Sequence, residues 1–159
     1  MPTKKQSSSN QSNESQVQPR QMTFNADLWQ FLRAWEGENK KKFIEGKIYF
    51  GLAPENTPVP YCVMHVMDSG DDPNAQTLCQ NEEGYNAVGE SRIQFNLYGF
   101  NDMQIDELLQ ELNYLIKSLK NLTVYRIMSC IRERTKTASS FSAEIGQGLT
   151  EFQFQHERL

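Results

Sequence analysis

The chain has 159 residues, a net charge of -4 and a hydrophobic share of 38%; that is one-domain length, enough to bury a core without disulfides or a structural metal. No stretch approaches the roughly 18 consecutive apolar residues of a membrane span, and three widely spaced cysteines, Cys62, Cys79 and Cys130, with no CxxC pair, indicate neither a disulfide framework nor a zinc ribbon and fit a reducing cytosol. Setting aside residues 1–20, which hold Lys4, Lys5, Arg20 and Glu14, the body has 13 basic and 19 acidic residues, a net of -6; such a body lacks the clustered cations that a phosphate backbone rewards.

Residues 1–21 are polar and of low complexity, rich in Ser, Asn and Gln. They cannot bury enough surface to offset their ordering entropy, so they read as a disordered arm ahead of a single domain over 22–159. The segment lacks the apolar core of a signal peptide, which predicts a cytosolic chain. A helix is expected from about Asn25, with Asn25 as N-cap and Asp27 complementing the dipole in the first turn. Leu28, Phe31, Leu32 and Trp35 recur at i, i+3, i+4 and i+7, and Gly37 is a natural stop. Lys40, Lys41 and Lys42 read as a solvated loop, and Lys47–Phe50 as a short strand. Pro54, Pro58 and Pro60 impose an extended loop. Tyr61–Met67 is a dense apolar strand. Residues 68–90 read as a long polar connection, of the length that is usually functional or disordered.

Ser91–Gly99 alternates Ile93, Phe95 and Leu97 with Arg92, Gln94, Asn96 and Tyr98, the period of a half-buried strand. Gly99-Phe100-Asn101 turns into a second helix, capped by Asn101 or Asp102. Its stripe is Ile105, Leu108, Leu109, Leu112, Leu115, Ile116 and Leu119, with Lys117 and Lys120 at its C-terminal end. Val124–Ile131 is a strand, and Arg132-Glu133-Arg134-Thr135-Lys136 a solvent-facing extension or hairpin edge. A last strand alternates Thr150, Phe152 and Phe154 with Glu151, Gln153 and Gln155. The order α-β-β-β-α-β-β predicts an α+β fold, an antiparallel or mixed sheet with two helices packed on one face.

Candidate chemistry is sparse. Cys62 and His65 have metal-like spacing, but on one strand they point to opposite faces. His156 is expected to be solvated. Asp68, Asp71 and Asp72 lack the ligand spacing of a calcium loop and read as a polar turn. No phosphate loop, dinucleotide fingerprint or nucleophile elbow occurs, and Gly146-x-Gly148 alone means little. Glu82-Glu83 and the pair Glu107/Glu111 read as solvated carboxylates. The chain is therefore not expected to be an enzyme or to hold a cofactor or metal. A nucleic-acid-binding α+β module is the reading from another class; the aromatic strand 92–100 lacks the RNA-recognition order, and the acidic body counts against it.

Lys47-Ile48-Tyr49, Ala53-Pro54, Pro58-Val59-Pro60-Tyr61-Cys62-Val63 and Arg92-Ile93-Gln94-Phe95-Asn96-Leu97-Tyr98-Gly99 before a leucine-rich helix resemble the tail-completion, or tail (neck) terminator, proteins of tailed phages. The resemblance spans roughly residues 25–155 and rests on the Pro-Tyr strand opening and the element order. It implies a structural virion protein: a homo-oligomeric, hexameric ring assembled in the host cytoplasm. Such a ring caps the tail tube protein, docks the head connector or stopper protein, and lets genomic DNA pass its lumen without specific binding or any membrane contact. Another neck, connector or minor tail component is the nearest alternative. Under the ring reading, Arg132, Arg134 and Lys136 are candidates for a subunit contact, and Glu82 and Glu83 for contact with the tube or connector.

Overall fold

The computed structural model describes residues 22–71, 88–142 and 145–159. The arm predicted over 1–21, most of the 68–90 connection, and with them Cys79, Glu82 and Glu83, lie outside the described residues. The fold is α+β: helix α1 (Phe24–Ala34), a 3-10 turn (Phe43–Gly46), strands β1 (Ile48–Phe50), β2 (Tyr61–Asp71) and β3 (Val88–Gly99), helix α2 (Asp102–Ser118), and strands β4 (Tyr125–Ser142) and β5 (Ile145–Arg158). The five strands form one sheet in the order β1-β2-β3-β5-β4. β1 runs parallel to β2 and every other pairing is antiparallel.

Strand alternation sets which face is covered. Ile93, Phe95 and Leu97 on β3 pair with Phe152, Thr150 and Gly148 on β5, and with Val66, Met64 and Cys62 on β2. Except for half-buried Val66, these residues are buried, so they define the inner face. A one-residue slip would turn Ile93, Phe95, Leu97, Phe152 and Phe154 outward, at a cost on the order of 10 kcal/mol. That matches a whole domain's net stability and locks the register.

Both helices lie on this inner face. Three glycines seat α2: a Cβ on Gly148 would stand 2.5 Å from Ile105 Cγ2, one on Gly99 would stand 2.9 Å from Ile105 Cδ1, and one on Gly146 would stand 3.1 Å from the Asn101 carbonyl carbon. Gly146 and Gly148 thus act by having no side chain. Asn101 caps α2, its Oδ1 accepting from Gln104 N at 2.8 Å, and Gln104 Oε1 accepts from Phe100 N at 2.8 Å. The pair resembles a capping box, with the Gln104 side chain reaching the residue before the cap instead of the cap's own N–H.

At α1 the cap is Thr23, whose Oγ1 accepts from Ala26 N at 3.2 Å, and not Asn25, which is buried inside the helix. Asp27 is fully buried and accepts from the backbone N–H of Thr123 (3.2 Å), Val124 (2.7 Å) and Tyr125 (3.1 Å). A residue expected to serve the helix dipole instead ties α1 to the entry of β4. The helix ends at Ala34 with Trp35 as C-cap, before Gly37. β2 and β3 are longer than expected: Asp68 pairs with Arg92 and Asp71 with Gly89, so these aspartates belong to a strand and not to a polar turn.

β4 is one edge of the sheet, and it contains the stretch 132–136. Its pairing with β5 shifts register at three places, between Ile127 and Ser129, Arg132 and Arg134, and Ala138 and Ser142. Such irregularities bend an edge strand and interrupt its row of free backbone groups.

Candidate assembly interface

The segments that carry the terminator resemblance become neighbours in the fold. β1 lies beside the opening of β2 through Ile48 opposite Cys62 and Tyr49 opposite Val63, and Tyr61 lies opposite Tyr98 of β3. On the outer face, the Tyr61 and Tyr98 rings stack with centroids 4.7 Å apart, and Tyr49 meets Tyr61 edge-on at 6.2 Å. Aromatic pairs of this kind add about 0.5–1.5 kcal/mol beyond their burial. Burial, then the neighbouring Tyr49, raises the pKa of Tyr61; burial, then Tyr61 and Cys62, raises that of Tyr98. These hydroxyls stay protonated and act as neutral hydrogen-bonding groups. Gln147 Nε2 reaches the Tyr98 hydroxyl at 3.5 Å.

Arg132 is exposed on the edge strand β4. Arg134 and Lys136 continue it, with backbones opposite Glu151 and Leu149. Between them, Glu133 is tied to Arg92 (Nε to Oε2, 3.0 Å), which also lies 3.7 Å from Glu151. Met128 and Ile131 add exposed apolar surface to the same strand.

Other surfaces stand out beside this edge. The outward side of α2 exposes Met103 and Tyr114, with Phe100 just before the helix. Asp102, Asp106, Glu107 and Glu111 are exposed on that side, as expected of Glu107 and Glu111. Between α1 and the 3-10 turn, Lys40–Lys42 sit on a compact hairpin. The Glu36 and Lys42 backbones form an antiparallel β-bridge, Gly37 N donates to Lys41 O at 3.0 Å, and Lys40 N donates to Gly37 O at 2.8 Å.

Cys62 faces the core and is fully buried, whereas His65 is half-buried at a position of opposite parity, so the two do not converge. Among the described residues no group of three His, Cys, Asp or Glu side chains could hold a metal ion. Burial pushes the Cys62 thiol pKa well up, and pushes that of Cys130 up to about 11 against a lowering by Lys117. Thiols so placed are poor nucleophiles.

The structure does join one Ser–His pair that the sequence did not mark. Ser91 Oγ lies 3.0 Å from His156 Nε2, and a polar chain continues through Ser69 Oγ (3.2 Å) to Asn25 Nδ2 (3.2 Å). His156 is buried, not solvated. It stacks on Phe24 with centroids 3.8 Å apart and meets Tyr125 edge-on at 5.5 Å. Burial lowers its pKa to about 4, which keeps the ring neutral. Ser91 is 1% exposed, and the pair links β3 to β5 where Phe24 of α1 stacks on His156. A sequence signal for His156 existed: it shares even parity with Thr150, Phe152 and Phe154.

No protein-family model matches the chain. No curated protein matches it either. Among solved structures, a chain from one described as "Virion of native gene transfer agent (GTA) particle" is similar at 13% identity and a TM-score of 0.47, covering 72% of this chain and 81% of that one. A similarity this low leaves the functional reading to the chain's own residues.

Proposed function

We propose that this chain is a structural virion protein, a tail or neck terminator that forms a ring at the head-proximal end of a tail tube. One observation carries the reading. The three stretches that resemble the terminator family, around Ile48, Tyr61 and Arg92–Gly99, fall on the adjacent strands β1, β2 and β3, and the last runs directly into the capped helix α2. Residues spread over about a third of the sequence thus form one continuous structural unit, as a shared fold requires. The exposed edge at Arg132 and the charged outer side of α2 offer surface for neighbouring subunits, tube and connector.

The test is tube capping. Purified protein is mixed with tail tubes of the same virus and imaged by negative stain, with light scattering on the protein alone. A ring seated at one end of each tube, and an arrest of tube elongation, are the expected results. Tubes that stay bare and keep growing would refute the assignment. Binding along the whole tube would point to another tail component.

A further inference from the structure

The outer side of α2 is a helix face with nothing packed on it among the described residues. Met103, Gln110 and Tyr114 run along its centre, at i, i+7 and i+11, so Met103 and Tyr114 stand about 16 Å apart along the axis. Met103 is 74% exposed and Tyr114 77%, unusual for side chains of their size and polarity. Acidic residues flank this stripe: Asp102 and Asp106 on one side, Glu107 and Glu111 on the other. No cation interrupts them before Lys117. Asp102/Asp106 and Glu107/Glu111 are like-charge pairs at i,i+4, which weaken a helix slightly.

The complementary feature lies elsewhere on the same chain. Lys40, Lys41 and Lys42 are exposed on the turn and return arm of the 36–42 hairpin, with exposed Arg33 on the helix before it; exposed Glu36 and Glu38 on the other arm leave the hairpin net positive. The hairpin is held by its own backbone bonds, and Gly37 leaves space for Trp35, whose Cη2 would stand 3.2 Å from a Cβ there. The lysines therefore project from an ordered knob. Among the described residues, ion pairs form at Lys47–Glu45, Arg92–Glu133, Arg92–Glu151 and Arg126–Glu157. None uses Lys40–Lys42 or the α2 carboxylates. The chain thus holds an acidic helix face and a net-positive hairpin, with no ion pair between them among the described residues.

We infer that the basic 36–42 hairpin of one copy docks on the acidic, Met103/Tyr114-bearing face of α2 in the next copy. The occupant is a second copy of this chain, chosen by charge complementarity. A lysine ammonium over the Tyr114 ring gains a cation–π contact in addition to its carboxylate partners. The contact joins two different surfaces, so it is head-to-tail and can close into a ring. Ring closure rests on the terminator reading; the pairwise contact does not.

The experiment is a charge swap in the full chain, with folding checked by circular dichroism. One variant carries Lys40→Glu, Lys41→Glu and Lys42→Glu; the other carries Asp106→Lys, Glu107→Lys and Glu111→Lys. Mass is read by light scattering and sedimentation at about 50 mM and about 500 mM salt, which spans strong to weak screening. Wild type is expected to associate at low salt and dissociate at high salt. Each variant alone is expected to be monomeric at both. An equimolar mixture of the two is expected to regain the wild-type mass, because every hairpin again meets an opposite face. Tyr114→Ala in the wild-type background is expected to weaken association about tenfold.

Wild type that stays monomeric at low salt, variants that associate like wild type, or a mixture that stays monomeric would each overturn the contact. The terminator reading fails separately, on bare tube ends: rings that cap tubes but ignore both reversals would remove this interface and leave that reading standing.

Discussion

Removing the Asp27 carboxylate should be among the most damaging single changes in the molecule. Its Oδ2 accepts from Val124 N at 2.7 Å and Tyr125 N at 3.1 Å, and its Oδ1 from Thr123 N at 3.2 Å. Hydrogen bonds to a charged group contribute about 1.5–3 kcal/mol each. Thr123 is exposed, so water can replace one partner there. Asp27→Ala is then expected to cost about 3–5 kcal/mol, a fall in Tm of about 10 °C for a chain of this size. Asp27→Asn keeps one acceptor oxygen but turns an amide donor toward backbone N–H groups, and should cost about half as much. Urea unfolding followed by circular dichroism measures both. A carboxylate that served only the helix dipole would be worth about 0.3–1 kcal/mol, with Asn and Ala equivalent. Losses in that range, with the two variants alike, would refute the assignment of Asp27 as the tie between α1 and β4.

Other expectations can be checked on the same footing. His156 is held neutral, with a pKa of about 4 against an ordinary 6.5. The unfolded chain therefore binds the proton first, and stability present above pH 6.5 should decline by up to about 3 kcal/mol as pH falls to 4; His156→Phe should flatten that part of the profile, and an NMR titration midpoint near 6.5 in the folded protein would contradict it. Gly148→Ala places a methyl 2.5 Å from Ile105 Cγ2, so it should destabilise by about 1–3 kcal/mol, and Ile105→Val in the same chain should recover part of the loss. Asn101→Ala removes the α2 cap and should cost about 1 kcal/mol in urea titrations; no change would mean that Gln104 alone secures that turn.

The elements most visible in the sequence were those whose pattern is local. The alternation through Ile93, Phe95 and Leu97 and the leucine stripe of α2 both follow from one face being buried, and both appear as expected. What the sequence hid was set by contacts between distant elements. Asn25 has the chemistry of a cap, yet the first turn of α1 lies against the end of β5, so the helix starts a residue earlier and Thr23 takes the role. Asp27 sits where a dipole partner would sit, and only the approach of residues 123–125, about a hundred positions later, reveals its partners. Gly146 and Gly148 carry no side chain to read; the helix that needs their emptiness is encoded more than 25 residues upstream. Of the candidate interface residues, Arg132 was legible as a charged stretch at a hairpin edge. The hairpin of Lys40–Lys42 read as plain solvated loop, because its order comes from backbone bonds.

The interrupted pairing of β4 has a consequence for how copies can meet. An outer strand broken at three places offers a visiting strand only a few residues of unbroken ladder at a time. Backbone zippering, which is strong, indifferent to side chains and hard to reverse, is thereby curtailed along the longest free edge of the sheet. A contact between copies would then rest on side chains, whose strength responds to ionic conditions and whose partners can be distinguished.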